Sequence, residues 1–249
     1  RAILTKTGEE LIKEGRPLLE AAQVLESRVK RVATGIETDI TIAISDLFSN
    51  TAILQALADF YLQDFGTRVK LTREVFGGSW DALITGRADI SMGAPGDMPS
   101  GGGYATKLIG NLDFVFAVAP QHPLASLKEP LNSQNIIQYR AVAVADSSRN
   151  LPPRTTGILT GQDVLTVHNM ESKLEAQIMG LGVGYVPKHL ALRYAKAGKL
   201  IIKTVAESRN IAPTYIAWRN NADKTSGKAQ QWLLKRLEQI SLEALMPIE

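Results

Sequence analysis

Apolar residues recur every seven positions at the start of the chain, at Leu4, Leu11, Leu18, Leu25 and Val32. Offset from them by four stand Gly8, Gly15, Ala22 and Val29, and the positions between are mostly charged or polar. This 4-3-4-3 spacing predicts a long helix that pairs along one stripe. The seam is expected at Leu11, Leu18, Ala22, Leu25 and Val29. Such a helix either folds back onto its own domain or pairs with a second chain. The length of the repeat, leading directly into the linker ATGIETD (33–39), favours the second chain. Thr7 and Glu10 fit a capping box that starts the helix near Gly8. Glu26 and Lys30 are placed for an i,i+4 ion pair. Pro17 removes a backbone donor and predicts a bend near Lys13 to Arg16.

From Ile40 onward the period changes. Short apolar runs read as strands at 40–45, 68–75, 88–94 and 112–120, with amphipathic helices at 50–65 and 79–87 between them. Ser49 or Asn50 is the expected cap of the first body helix and Gly66 its end. The stretch GDMPSGGGYATKLIG is expected to be hairpin-like. After QHPLAS (121–126) the cycle restarts. Strands are expected at 139–145, 164–169, 183–187, 199–205 and 213–219, and helices at 170–180, 188–198 and 226–246. Alternating strands and helices argue for parallel sheets built from right-handed crossovers. The chain therefore divides into a helix at 1–35, one α/β unit from 36–122 and 212–249, and a second from 123–211. Each unit is expected to carry its own Rossmann-like sheet, with two crossovers between them. Ligands of open sheets sit beyond the carboxyl ends of the strands, so the cleft between the units is the expected site.

Composition narrows the class. Hydrophobic residues make up 45% and charged residues 21%, which is ordinary for a soluble domain. No apolar run reaches the ~20 residues that span a bilayer. The chain has no cysteine, which excludes disulfides and cysteine zinc sites. A net charge of +3 does not establish a nucleic-acid surface. His122, His168 and His189 lack metal-ligand spacing, and no nucleophile elbow, phosphate loop or zinc-protease motif occurs. Ser27 and Lys30 match S-x-x-K only by coincidence, on a charged helix. GLGVG (180–184) comes after a helix and precedes a strand, the reverse of a dinucleotide loop, so its glycines are assigned to the turn. Asp46, Asp97 and Asp146 sit near strand ends, with nothing to pair them. The motifs call for no enzyme activity, no cofactor and no metal.

The strand ends offer binding chemistry instead. SDLFSN (45–50), GAP (93–95), DSSR (146–149) and TVHN (166–169) place hydroxyls, apolar side chains and helix N-termini around one cleft. Each loop taken alone is also explained by capping and turn chemistry.

The order of motifs resembles the LysR-type transcriptional regulators across essentially the whole chain. RAILTKTGEELI is similar to the end of their DNA-binding domain running into the linker helix, with Leu4, Thr5 and Gly8 at the turn. ITIAISDLFSNTAILQALADF resembles the first strand and helix of their effector domain. ADISMGA, QHPLAS and MGLGVGYVP resemble, in order, their third strand, crossover and helix-to-strand turn. Pro17, the glycine-rich GDMPSGGGYATKL and the acidic Asp46 depart from the family pattern.

The resemblance implies two subdomains of the periplasmic-binding-protein type II kind behind a dimerising linker helix. It implies a cytoplasmic regulator lacking its winged helix-turn-helix, which associates as a homodimer or homotetramer and meets DNA only through that missing part. A small-molecule effector would bind in the cleft and act allosterically. By position, the effector-contacting loops correspond to Ser45, Asp46, Leu47, Phe48, Gly93, Ala94, Ser147, Thr166, His168 and Asn169. His168 reads equally as a core or capping histidine. Two other readings share the bilobal scaffold: a periplasmic solute-binding protein of a transporter, and an enzyme. The heptad helix argues against the first, and the missing catalytic motifs argue against the second.

Overall fold

The structure, a computed structural model, describes residues 5–33, 35–207, 211–220 and 226–246. Along the first helix, the side chains at 9, 16, 17, 20, 21, 23, 24, 26–28 and 30–32 fall outside that description, as does Leu4. The Glu26–Lys30 pair, Ser27 and the Val32 side chain therefore lie outside the described residues.

Helix α1 (Lys6–Ala33) carries the heptad stripe. Its cap is Thr5, whose Oγ1 accepts from the Gly8 N–H at 3.2 Å, rather than Thr7. The backbone stays helical through Pro17, so the lost donor does not end the helix. No helix of the described residues is long and apolar enough to cross a membrane.

The first half of the body runs β1 (Asp39–Ser45), α2 (Thr51–Tyr61), β2 (Arg68–Glu74), α3 (Gly78–Ile84) and β3 (Ile90–Pro95). β1 pairs in parallel with both β2 and β3, as crossover connections require. In α2, Ile53, Ala56, Leu57 and Phe60 are buried at helical spacing against the sheet. Burying each large side chain contributes about 1.5–3 kcal/mol.

β4 (Tyr104–Val118) then crosses the whole body as one strand. The segment Tyr104–Gly110, expected in a hairpin-like region, is part of this strand, because its partner arrives only with β9 (Ile211–Arg219) near the end of the chain. β4 pairs antiparallel with β9 from Tyr104 to Asp113, then with β7 (Gly184–Pro187) from Phe114 to Ala117. Its partner changes from β9 to β7 between Asp113 and Phe114. β4 also fuses the sheets into one mixed seven-stranded path, β2-β1-β3-β9-β4-β7 with β8 (Ile201–Lys203) on β4. This corrects the expectation of separate, wholly parallel sheets.

The second half begins with a 3-10 turn at Pro123–Ala125, where buried His122 accepts from the Leu124 N–H at 3.2 Å. Next in the chain come α4 (Ser133–Ile136), β5 (Ala141–Val144), β6 (Val164–Val167), α5 (Met170–Ile178), β7, α6 (Lys188–Lys196) and β8. β5 and β6 pair in parallel as a second small sheet. GLGVG is a turn, with Gly180 at φ 78° closing α5. The last helix expected at 226–246 is two: α7 (Lys228–Leu237) and α8 (Leu242–Leu245). Ser241 starts the second by accepting from the Ala244 N–H at 3.3 Å.

α7 returns to the first half. Leu233, Leu234 and Leu237 bury against α2, and Trp232 lies 5.8 Å from Phe60 between ring centres. The second half has its own core around Val144, Met170, Leu174, Val186 and Ala191.

Candidate functional site

A cleft with about 540 Å³ of atom-free space, part of it open solvent, lies between the halves. One wall is the carboxyl end of β1 and β3, with Ser45, Asp46, Leu47, Gly93 and Pro95. Leu112 and Phe114 of β4, at the partner exchange, and Ala212, Pro213 and Thr214 of β9 form the floor. Val75 and Phe76 come just after β2, while Val144 and Met170 enter from the second half. This is the position that open sheets reserve for ligands.

Gly93 makes the β1–β3 wall possible. Its φ is 95° and it marks a register shift between β3 and β9. A Cβ there would lie 2.6 Å from the Phe48 ring and 2.7 Å from the Ser45 Cβ. Glycine supplies both the backbone angle and the space.

The polar groups are few. Asp46 Oδ2 accepts from the Met170 N–H at 2.9 Å, which places a first-half carboxylate at the N-terminus of α5 in the second half. Burial pushes the Asp46 carboxyl up, outweighing that hydrogen bond and the positive charge of Arg73. Arg73 itself is held down by burial against the pull of Asp46. Its Nη1 donates to the carbonyls of Ser45, at 2.9 Å, and Phe48, at 2.5 Å, so it braces the β1 loop from behind.

Beside the cleft, the halves are joined by a buried network. Ser147 Oγ donates to Glu74 Oε2 at 2.5 Å and accepts from the Val75 N–H at 2.8 Å. Arg87 bridges Glu74 at 2.6 Å and Asp81 at 2.9 Å. Asp81 Oδ1 accepts from the N–H groups of Asn150 and Leu151 at 2.8 and 3.0 Å. Burial pushes Asp81 up, but the bonds from Arg87 and these backbone donors outweigh it and hold the carboxyl below its usual range. Asp146 closes the join by accepting from the Gly77 N–H at 3.1 Å.

Of the residues expected from sequence, Ser45, Asp46, Leu47 and Gly93 come together in the cleft. Phe48 is 2% exposed and packs its ring under Gly93, so it supports the wall from the core side. Ala94 points to the opposite face of β3, into the cluster of Trp80, Leu83 and Ala217. Ser147 is consumed by the Glu74–Val75 join. Asn169 caps α5 by accepting from the Ser172 N–H at 2.8 Å. Thr166 and His168 are exposed and are not among the cleft-lining residues. The apolar lining from Val75, Phe76, Leu112, Phe114, Met170 and Pro213 carries no signal in the sequence, because apolar residues near strand ends read as core.

The α1 stripe has the opposite character. Leu11, Leu18, Leu25 and Val29 are 73%, 72%, 62% and 61% exposed in the single chain, and Ala22 is exposed with them. This is a contiguous exposed apolar stripe on the single chain.

A bilobal body with a cleft at the strand ends, behind a helix with an open heptad seam, is the arrangement of a ligand-responsive regulatory domain. Residues 33–239 match the LysR substrate binding domain family. The chain is 39% identical over 232 residues to the uncharacterized HTH-type transcriptional regulator YeeY of Escherichia coli K12, covering 93% of this chain and 74% of that protein. It is 30% identical over 234 residues to the regulator PunR of the same organism, covering 94% and 74%. Full-length LysG from Corynebacterium glutamicum with bound effector Arg shares the fold, with a TM-score of 0.58 at 18% identity over 98% of this chain and 81% of that one. The chain belongs to the LysR family of transcriptional regulators.

Proposed function

We propose that this chain senses a small molecule and couples it to self-association in a LysR-family regulator. The effector binds in the cleft between the halves 36–122 with 212–249 and 123–211. The halves also share β4, whose partner changes from β9 to β7 between Asp113 and Phe114. The observation that carries this reading is the apolar cleft at the carboxyl ends of β1 and β3, with both halves contributing walls. The binding free energy shifts the halves only by the difference in affinity between their arrangements. β4 and the β9 connection are the pivots; Asp46, Ser147 and Asp81 are the contacts that must break or re-form. The α1 seam of Leu11, Leu18, Ala22, Leu25 and Val29 pairs with a second copy. DNA contact belongs to the helix-turn-helix part that the relatives' names carry. The role is regulatory and cytoplasmic, without catalysis.

The test is a melting screen of small molecules on the chain, repeated with Ala212→Trp to fill the cleft. A true effector at 100 times its Kd stabilises the wild type by about 2.7 kcal/mol. It leaves the filled variant unmoved. A ligand that stabilises both proteins equally would overturn the cleft as the site.

A further inference from the structure

We infer that the cleft selects a cationic amine on an apolar body, with Asp46 as its counter-ion; this rests on the cleft being the effector site.

Three observations converge. First, the lining is apolar on every wall: Leu47, Phe76, Leu112, Phe114 and Met170 surround the space. A ligand that fills it presents mostly carbon, and its affinity scales with the apolar area removed from water. Second, among the described residues that line it, the only ionisable side chain is the Asp46 carboxyl, with no lysine, arginine or histidine. Third, two features that would attract an anion are already engaged. The N–H at the α5 N-terminus donates to Asp46 itself, and Arg73 donates to two backbone carbonyls from behind the loop.

An anionic ligand in this cleft would meet the half-buried Asp46 carboxylate, with no cation among the lining residues. Charge interactions there are less screened than at the surface. An ammonium group meets the reverse. Met170 holds only Oδ2 of Asp46 in a backbone hydrogen bond. A carboxylate accepts through both oxygens, so Oδ1 has capacity for a charged donor. Ser45 and Thr214 add hydroxyl-bearing residues to the same lining. Ligand binding also stabilises the ionised form of Asp46 against the upward push of burial.

The test uses head-group series on two apolar bodies: phenethylamine, phenethyl alcohol and phenylacetate, and tryptamine, tryptophol and indoleacetate. Calorimetry is run on the full chain, on Ala212→Trp, on Asp46→Asn and on the charge-retaining Asp46→Glu. The amine of a series is expected to bind at least about tenfold tighter than its carboxylate, the ratio a weak charge-assisted hydrogen bond supports. Ala212→Trp should abolish binding. Asp46→Asn should shrink the amine preference to within about threefold, while Asp46→Glu retains it. Carboxylates that bind as tightly as the amines, and are lost in Ala212→Trp, would overturn the amine assignment and leave the cleft standing. An amine preference that survives Asp46→Asn would remove Asp46 from the role. Binding that ignores Ala212→Trp, or no binding by any compound, would overturn the cleft and the amine assignment together.

Discussion

Helices α1 and α7 are written in the same amphipathic code and meet different fates. In α7, Leu233 and Leu237 are 0% and 1% exposed, covered by α2 and the first sheet. In α1, Leu18 and Leu25 are 72% and 62% exposed, left open by the described residues. The periodicity marks an apolar stripe on each helix. It does not tell whether the chain's own body covers it. The difference lies in what each stripe meets: α7 packs on α2 and the first core, whereas the described residues of the α1 stripe belong to no core cluster.

The comparison is tested most severely in α7. Leu233→Ala should destabilise the body by about 2–5 kcal/mol, because the site is closed on all sides and a cavity remains. Denaturant unfolding reads this directly, and a loss below about 0.5 kcal/mol would mean that the stripe is not covered as described.

A covered face can also carry a group that does not suit it. Lys173 on α5 is 6% exposed, and burial pushes its amine down to about 8. Its folded value lies below the ordinary 10.5, so the fold prefers the neutral amine. Lys173→Met should stabilise by about 1–3 kcal/mol near neutral pH. As pH rises from about 8 toward 10.5 the wild type loses its proton and recovers, so the gain should fade across that window. Paired melting curves at neutral and alkaline pH check both parts.

On α1 the same logic runs the other way. Leu18→Asp with Leu25→Asp should weaken self-association at least tenfold, a change of about 1.4 kcal/mol. The stability of the body should move by no more than about 0.5 kcal/mol. Sedimentation across a concentration series separates the two. An unchanged association constant would move the pairing surface elsewhere.

The order of strands and helices was legible from the alternation of apolar runs, and the turn at GLGVG from its place after a helix. The features hidden in the sequence depend on distant partners. Tyr104–Gly110 is a strand because β9 lies beside it, and β9 is about a hundred residues later in the chain. The break at Glu238–Ser241 had no proline or glycine to announce it; Ser241 starts a new helix by its side-chain oxygen. In the site, Ser45, Asp46 and Gly93 were legible as strand-end residues. Phe48 turns its ring to the core side, because a one-residue step along a loop decides between cleft and core. Ser147 and Asn169 look like ligand groups in sequence and are occupied by Glu74 and by the α5 backbone. The cleft's hydrophobic walls gave no motif, since apolar residues at strand ends read as core.

The smallest expected effect concerns Asp46. Its folded value is raised above the ordinary 3.8, so the fold binds a proton there more readily than the unfolded chain. Stability from this group is complete below 3.8 and is lost as pH rises through the folded value. Asp46→Asn should therefore raise the melting midpoint near neutral pH by no more than about 3 °C, the shift of about 1 kcal/mol in a chain of this size. The gain should vanish in acid. A destabilised variant at neutral pH would show that the ionised carboxylate on α5 stabilises the join.

The central claim, that a ligand is held between the halves, is tested most directly by amide hydrogen exchange on the full chain. The exchange is followed with and without whichever compound of the melting screen stabilises the chain most. Slowed exchange is predicted at Asp46–Phe48, Phe114–Phe116 and Met170–Leu174, where both halves meet the cleft, with α3 unchanged. Protection confined to the surface pocket of Ile84, Gly103, Tyr104 and Arg219, with the cleft segments unaltered, would contradict it.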